Sequence, residues 1–471
     1  MNPSTLPTNP SLQRRPDPAR PLPGAATTSA KGRFARLPQL AGRGFLPLGL
    51  FARLPLAMLT VGTLTLVTSV TGSYAVGGTA AGAVGMGSAI GAPVLGALAD
   101  RRGQRPVLLI AAALNTLAVL GLLAAAYSMA PGGAFPAAVL AAAFASGASC
   151  PQVGPLARVR WMALTARASP ASGSTNSGVA NGGSANRAAS GTGTNSQDLD
   201  TALSYEGTAD ELTFVLGPAL VGILASLVAP WLPLALAAVL TITLVPAFAV
   251  HPTCRAVPIY RGMRAGARKA SAAGRMAAHA EARAPRIPLA VALPVLAMVC
   301  MGTFFGSTQT ALSSFSAGFA SSEIAGLLYA VMGISSAVAA LSVAYWPPRL
   351  TLSARWLVGA VLMAALAFLL FVPSSAAGMV LVLLVLGIPV GPVMVTVFAI
   401  GGVFAPLGRL GTVMTALASG IVAGTAVGSA VGGHIAQVHG YSVAFLVPVA
   451  AAVALALLGA ATAVVLRRKR T

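Results

Sequence analysis

Charged side chains are spaced so unevenly along this chain that only one solvent suits most of it. Uncharged stretches run over 54–99, 106–157, 212–254, 356–408 and 410–466, and stretch 287–348 is interrupted only by Glu323. Each is 43 to 62 residues long. A helix crossing a hydrocarbon layer of about 30 Å needs about 20 apolar residues. Each stretch is therefore too long for one crossing and suits two joined by a short turn. Turn-forming residues stand mid-stretch at Gly72-Ser73-Tyr74, Ala130-Pro131-Gly132-Gly133, Ala229-Pro230-Trp231, Pro373-Ser374-Ser375 and Val438-His439-Gly440. Six hairpins predict twelve spans, an all-α polytopic membrane protein in two six-helix halves. With 56% hydrophobic and 8% charged residues, the chain has too few charges to cover a soluble globule, whose share is about a quarter.

The basic residues test this count. The 30 Lys and Arg fall in the N-terminal tail through Arg53, in the connections after spans 2, 4, 6, 8 and 10, and at the C-terminus. With twelve spans all lie on one side; an odd count would scatter them. Basic connections stay cytoplasmic, so both termini are expected in the cytoplasm of a cell membrane. The net charge of +21 then reads as membrane topology rather than as a nucleic-acid footprint. Only three of the 30 are Lys, a bias expected of a GC-rich bacterial source.

The expected organisation is a disordered tail (1–50), spans 1–4 (51–165), a flexible Ser/Gly/Asn-rich insert (166–198), spans 5–6 (199–250), a basic central loop (251–286), spans 7–12 (287–466) and a basic C-terminus (467–471). The insert lacks periodicity, as flexible linkers do. The central loop is either an amphipathic helix on the anionic leaflet or a solvated linker. The tail lacks the 7–15-residue apolar core of a signal peptide.

Span 2 ends Gly96-Ala97-Leu98-Ala99-Asp100-Arg101-Arg102-Gly103-Gln104-Arg105: a carboxylate at a helix end, then a Gly turn among cations. The segment resembles the signature loop between helices 2 and 3 of the major facilitator superfamily of transporters. Gly96, Leu98, Asp100, Arg101, Gly103 and Arg105 match, while Gln104 stands where the family often has a base. The resemblance implies that Asp100 meets the start of span 11 near Arg409-Leu410-Gly411-Thr412, where unpaired N–H groups and the helix dipole favour an anion. It also implies that Arg101 and Arg105 belong to the same latch. After span 8 the pattern is lost: Tyr345-Trp346-Pro347-Pro348-Arg349-Leu350 has neither Asp nor Gly.

Gly420, Gly424, Gly428 and Gly432 line one face of span 11, and span 2 carries Gly78/Gly82 and Gly87/Gly91. Such faces let helices pack closely in lipid, and the expectation is that spans 2 and 11 pack on each other. Other neighbours remain possible for each stripe. In span 5, Gly217, Pro218 and Gly222 match part of the G-P-x-x-G-G motif of the superfamily's exporter branch, with Val221 in place of a Gly. A Gly-Pro bend without functional meaning competes with that reading, because membrane helices tolerate Pro.

Five of the nine acids, Asp198, Asp200, Glu206, Asp210 and Glu211, precede or open span 5. The 18 residues from Glu211 to Ala229 make about 27 Å of helix, which puts Glu211 at the inner rim. Arg158 and Arg160 end span 4 at the same depth. The expectation is an ion-pair cluster of Arg158 and Arg160 with Glu206, Asp210 and Glu211, either anchoring the interface or gating and carrying protons. Deeper, the spans look free of charge. In this family spans 1, 4, 7 and 10 line the cavity, which offers Thr60, Thr63, Thr68 and Ser69; Cys150 and Gln152; Thr308, Gln309 and Thr310; and Pro389, Pro392 and Thr396. Thr63, Gln152 and above all Gln309 are the cavity candidates, since a mid-span amide needs partners.

An uncharged cavity suits a neutral or lipophilic small molecule. The leading expectation is a secondary transporter, a monomer in membrane lipid, exporting such a molecule by alternating access. The alternatives are an uptake permease for a neutral solute and a non-transporting sensor or scaffold. No nucleophile–base pair, His/Asp metal cluster or GxxxxGK[ST] loop stands at membrane depth, so no enzyme activity, cofactor or metal is expected. Protons, if coupled, would ride on Asp210 or Glu211.

Overall fold

The computed structural model describes residues 32–128, 137–167, 183–258, 287–317, 323–347 and 349–468, with side chains outside 74–75, 183–195, 317 and 323–324. The tail before residue 32, the turn at 130–133, the insert over 168–182, the central loop over 259–286 and residues 469–471 lie outside it, as does the Glu323 side chain. Every described element is helical. Hydrocarbon offers no water to backbone N–H and C=O groups, so each segment must satisfy its own, which a helix does.

Twelve helices are long and apolar enough to cross a membrane. The first half holds spans 1 to 6: Phe45–Thr71, Val76–Arg102, Gln104–Tyr127, Ala137–Arg167, Ser196–Leu227 and Leu232–Val250. The second half holds spans 7 to 12: Leu289–Ser316, Ala325–Tyr345, Leu352–Phe371, Ala376–Phe404, Leu410–Ala444 and Leu446–Arg468. Several turns between spans are capped locally. Ser73, Thr351 and Ser375 accept from the N–H groups of Val76, Ala354 and Gly378 at helix starts, and Gly72 and Gly103 end spans 1 and 2 with φ of 68° and 91°.

Two boundaries differ from the sequence reading. The helix carrying span 5 starts at Gly183, so residues 183–198 are helical where a linker was expected; low periodicity there did not prevent continuation from the span. Span 1 starts ahead of Arg53, as helix Phe45–Phe51, and resumes as helix Leu54–Thr71. Arg53 therefore sits in a break within the span and is buried, rather than closing a solvated tail.

Glycines set the tightest helix contacts, and they place the span 11 stripe on span 7 rather than on span 2. A Cβ on Gly424 or Gly428 would overlap the carbonyl of Val299 or Thr303 on span 7. One on Gly420 would lie 2.9 Å from the Val295 oxygen, and Gly432 lies against Ser307 and Thr310. Span 7 answers with Gly302 and Gly306, which face the Ile421 and Thr425 carbonyls. The stripe thus packs within its own half. Gly87 and Gly91 of span 2 likewise lie against Phe144 and Ala148 of span 4, while Gly78 and Gly82 face open space. Gly217 against Ala57 couples spans 5 and 1, and Gly387 and Gly391 against Met332 and Ser336 couple spans 10 and 8. Four pairs, 2–4, 5–1, 8–10 and 11–7, are built alike. Spans 2 and 11 also pack on each other, as expected, most closely at Gly96 and Gly411: a Cβ on Gly411 would lie 2.6 Å from Asp100 Oδ1 and 3.2 Å from the Gly96 oxygen.

Gly424→Ala should lower the midpoint of thermal unfolding in detergent, by about 1–3 kcal/mol for forced overpacking. Gly78→Ala, with open space at its Cβ, should leave the midpoint unchanged or raise it, since Ala favours the helix. Equal midpoints for the two variants would contradict the span 7–span 11 contact.

Candidate functional site

The signature loop is built from the end of span 2 upward. Asp100 stands one turn past Gly96, and the missing Cβ there lets the start of span 11 come close. Its Oδ1 accepts from the Gly411 N–H at 2.8 Å, and its Oδ2 accepts from the Thr412 N–H and hydroxyl, both at 2.7 Å. These are first-turn donors of span 11, otherwise unpaired, at the positive end of its dipole. Arg101 and Arg105 do not join this contact. Both side chains are exposed and hold no carboxylate among the described residues. The donors that Asp100 needs are supplied by span 11 itself.

Gln104, the departure from the family pattern, has a local cause. Its Oε1 accepts from Arg160 Nε at 2.8 Å, and its Nε2 donates to the Leu156 carbonyl at 3.3 Å. Arg160 also donates to the Phe248 carbonyl at 2.8 Å and the Thr253 hydroxyl at 3.1 Å, and it lies over the Phe248 ring. A base at 104 would meet a buried cation. Burial and the Arg160 guanidinium hold the His251 imidazole below its ordinary value, which keeps that neighbour neutral. Arg160 is thus absent from the acidic cluster in which the sequence reading placed it.

The cluster that does form joins spans 1, 4 and 5. Asp210 accepts from Arg158 Nη2 and from Arg53 Nη1, each at 2.7 Å. Arg53 Nη2 pairs with Glu206 Oε2 at 2.5 Å, and Trp161 Nε1 donates to Glu206 Oε1 at 2.8 Å. Arg53 also donates from Nε to the Gly49 carbonyl at 2.9 Å, across the break in span 1. Both arginines are almost completely buried, so each charge is offset by a carboxylate in contact. Glu211 points elsewhere. Its Oε1 accepts from the Ser336 hydroxyl of span 8 at 2.8 Å, and it pairs with no cation among the described residues.

Arg53, Arg158 and Asp210 line a cleft together with Ser88, Gln152, Phe214, Phe398 and Ser419. Spans 1, 2, 4, 5, 10 and 11 all contribute. The charges in this cleft are those of the cluster expected at the inner rim, Arg158 and Asp210, joined by Arg53 from the break in span 1. Of the three cavity candidates, Gln152 lines this cleft, and its side chain donates to the Cys150 carbonyl at 2.9 Å. Thr63 is buried outside it, and Gln309 is exposed; the helix phase turns Thr308 inward in its place. Thr310 and Thr396 bond carbonyls of their own helices, as membrane hydroxyls commonly do. In span 5 Gly217 has a packing role against Ala57, and Pro218 lies inside the helix. Gly222 faces open space.

The halves are bound across one end of the bundle, the end that carries the described basic connections. Besides Asp100 with span 11 and Glu211 with Ser336, Thr208 donates to the Ala337 carbonyl at 3.0 Å, Arg355 pairs with Asp200 at 3.1 Å, and Arg33 donates to the Ala344 carbonyl. Span 1 packs on spans 2, 5 and 6, and span 7 on spans 8, 10, 11 and 12. A family model for the Major Facilitator Superfamily matches residues 45–420.

The chain belongs to the Major Facilitator Superfamily. Solved structures share its fold across nearly the whole length. The human organic anion transporter MFSD10 (TETRAN) matches at 18% identity with a TM-score of 0.62, covering 90% of this chain and 99% of its own. A bacterial homologue of the iron transporter ferroportin, in the outward-facing state with soaked iron, matches at 14% identity with a TM-score of 0.61, covering 89% of this chain and 98% of its own. No curated protein matches the sequence. As a member of this superfamily, the chain is a membrane transporter with a twelve-helix fold.

Asp210→Asn leaves two buried guanidinium groups facing one remaining carboxylate. It should lower stability by about 3–5 kcal/mol, the usual cost of breaking a buried pair from one side. Asp198→Asn, whose partner Arg36 is 49% exposed, should cost at most about 1 kcal/mol. Chemical unfolding of the two variants checks the difference, and similar midpoints would mean that the cluster is solvated.

Proposed function

We propose that this transporter is a secondary active exporter of a small lipophilic molecule, working by alternating access. In this reading the basic end faces the cytoplasm of a plasma membrane, as basic connections favour, and both termini lie there. The observation that carries it is the one-ended attachment of the halves. The contacts that cross between them gather toward the basic end, while spans 1 and 7 each pack within their own half. This arrangement is that of a transporter closed on the inside. The bacterial ferroportin homologue that shares the fold is itself in an outward-facing state.

Opening the inside requires Asp100 to leave the first turn of span 11. Three hydrogen bonds to a charged acceptor are broken in that step and remade in closing, so Asp100 acts as a latch that sets the balance between the two states. The partial exporter motif at Gly217, Pro218 and Gly222 supports the outward direction of transport. Proton coupling, in this reading, falls to Glu211 rather than Asp210. Asp210 is held between two guanidinium groups, each at 2.7 Å, and is already fully engaged by them. Glu211 contacts the hydroxyl of Ser336 on the other half, with Tyr329 of span 8 in electrostatic reach. A protonated Glu211 is tolerated in that contact, and separation of spans 5 and 8 exposes it to the inner solution, where it can lose its proton.

In proteoliposomes loaded with an uncharged lipophilic dye, Asp100→Asn should fold, insert and lose about tenfold or more of its transport rate, the scale of one charged hydrogen bond. Wild-type rates in this variant would end the latch reading. Glu211→Gln should abolish dye accumulation driven by a pH gradient while downhill dye flux persists. If the variant still accumulates dye against its gradient, Glu211 is not the proton carrier.

A further inference from the structure

The cleft contains a charged donor with nothing to donate to. Arg158 is 1% exposed. Its Nη2 is engaged by Asp210 and its plane lies 3.9 Å over the Phe398 ring, but Nη1 is buried without a hydrogen-bond partner. The space beside that atom is kept open by a glycine. A Cβ at position 154 would stand 3.0 Å from Asp210 Oδ1, 3.6 Å from Arg158 Nη1 and 3.8 Å from Arg53 Cζ. Across the cleft, the Ser419 hydroxyl of span 11 is a second buried group without a partner. A buried donor left unmade is costly, more so when charged, and such orphans call for an acceptor that is absent from the protein itself.

We infer that Arg158 Nη1 is the recognition point for an uncharged amphiphile bearing a carbonyl oxygen, with an aromatic or apolar body against Phe398 and Phe214. Charge decides against an anionic head. Arg53 and Arg158 are matched by Glu206 and Asp210, so the cluster sums to zero. A carboxylate entering beside Gly154 would come close to Asp210 with no free positive charge to offset it. A cationic head would face two guanidinium groups. A neutral carbonyl needs only the bare N–H, and Ser419 can supply a second donor. Six spans from both halves line this cleft, so a molecule held there touches elements that must separate when the inside opens. The inference names the substrate class of the proposed exporter and rests on that reading for its biological meaning, but it is tested by binding alone.

The full chain is purified in detergent and titrated with naphthalene carboxamide and with naphthalene carboxylate, following the unfolding temperature and the saturation of its shift. A ligand that binds only the native state raises that temperature. The expected result is saturable stabilisation by the amide and none by the carboxylate. Arg158→Lys, which keeps the charge opposite Asp210, should weaken amide binding about tenfold or more, the equivalent of one lost hydrogen bond from a charged group. Gly154→Ala, which removes no ion-pairing group but sets a Cβ 3.0 Å from Asp210 Oδ1 and 3.6 Å from Arg158 Nη1, should do the same. Ser419→Ala should weaken binding by a smaller factor. Stabilisation by the carboxylate equal to or above that by the amide, no response to either probe, or full amide binding by a folded Gly154→Ala variant would overturn the assignment. Amide binding without transport of any dye would instead remove the exporter reading and leave the site in place.

Discussion

Hydrocarbon tolerates neither an unpaired backbone amide nor a bare ion, and that intolerance organises this molecule at each scale. It makes every described element a helix. It drives the basic side chains to one end of the bundle, where the connections after even-numbered spans lie. Where arginines do enter the interior, it demands carboxylates in contact: Arg53 and Arg158 with Asp210 and Glu206. Because those four side chains come from spans 1, 4 and 5, neutralising them also fixes how three helices of the first half sit together. The same demand, left unmet at one nitrogen of Arg158, marks the place where a guest molecule has something to offer.

Close packing supplies the complementary constraint. Lipid gives no hydrophobic advantage to burying apolar surface between helices, so intimate contact depends on small residues. The couples 2–4, 5–1, 8–10 and 11–7 are each joined through glycines seated on a neighbouring backbone, and all four lie within halves. Between the halves spans 2 and 11 and spans 5 and 8 also pack, and polar ties join them: Asp100 with span 11, Thr208 with Ala337, Glu211 with Ser336, Arg355 with Asp200. Contacts of the first kind hold each half rigid. Those of the second kind exchange readily with water once exposed, which suits surfaces that part and rejoin.

The span count was legible because charge spacing is a global signal, insensitive to the placement of any one side chain. The approach of Asp100 to Gly411 and Thr412 was legible through the resemblance of residues 96–105 to the superfamily's signature loop, which implies that partner, and the first-turn amides of span 11 supply the physical reason. Apart from the early start of the span 5 helix, the errors concern direction. Arg158 and Arg160 are two residues apart and so lie on opposed helical faces, yet they were assigned to one cluster; one meets Asp210 and the other meets Gln104 and the end of span 6. The glycine stripe of span 11 announced a close neighbour without naming it, and the answering pair Gly302 and Gly306 on span 7 was the overlooked clue. Gln309 is favoured by its chemistry; its side chain is exposed and lies outside the cleft that holds Arg158. Arg53 was hidden by its position beside the tail, since nothing in local sequence reveals that span 1 begins before it and breaks around it.

The partners of Asp100 have an evolutionary consequence. Two of its three donors are main-chain amides of span 11, and reaching the first of them needs a glycine at 411, whose Cβ would lie 2.6 Å from Asp100 Oδ1. Substitution can delete the acceptor in one step, but no substitution short of proline can delete those donors. Selection on this contact therefore falls unevenly, bearing hard on one acid and on the two glycines that face each other at 96 and 411, while leaving position 412 freer to drift.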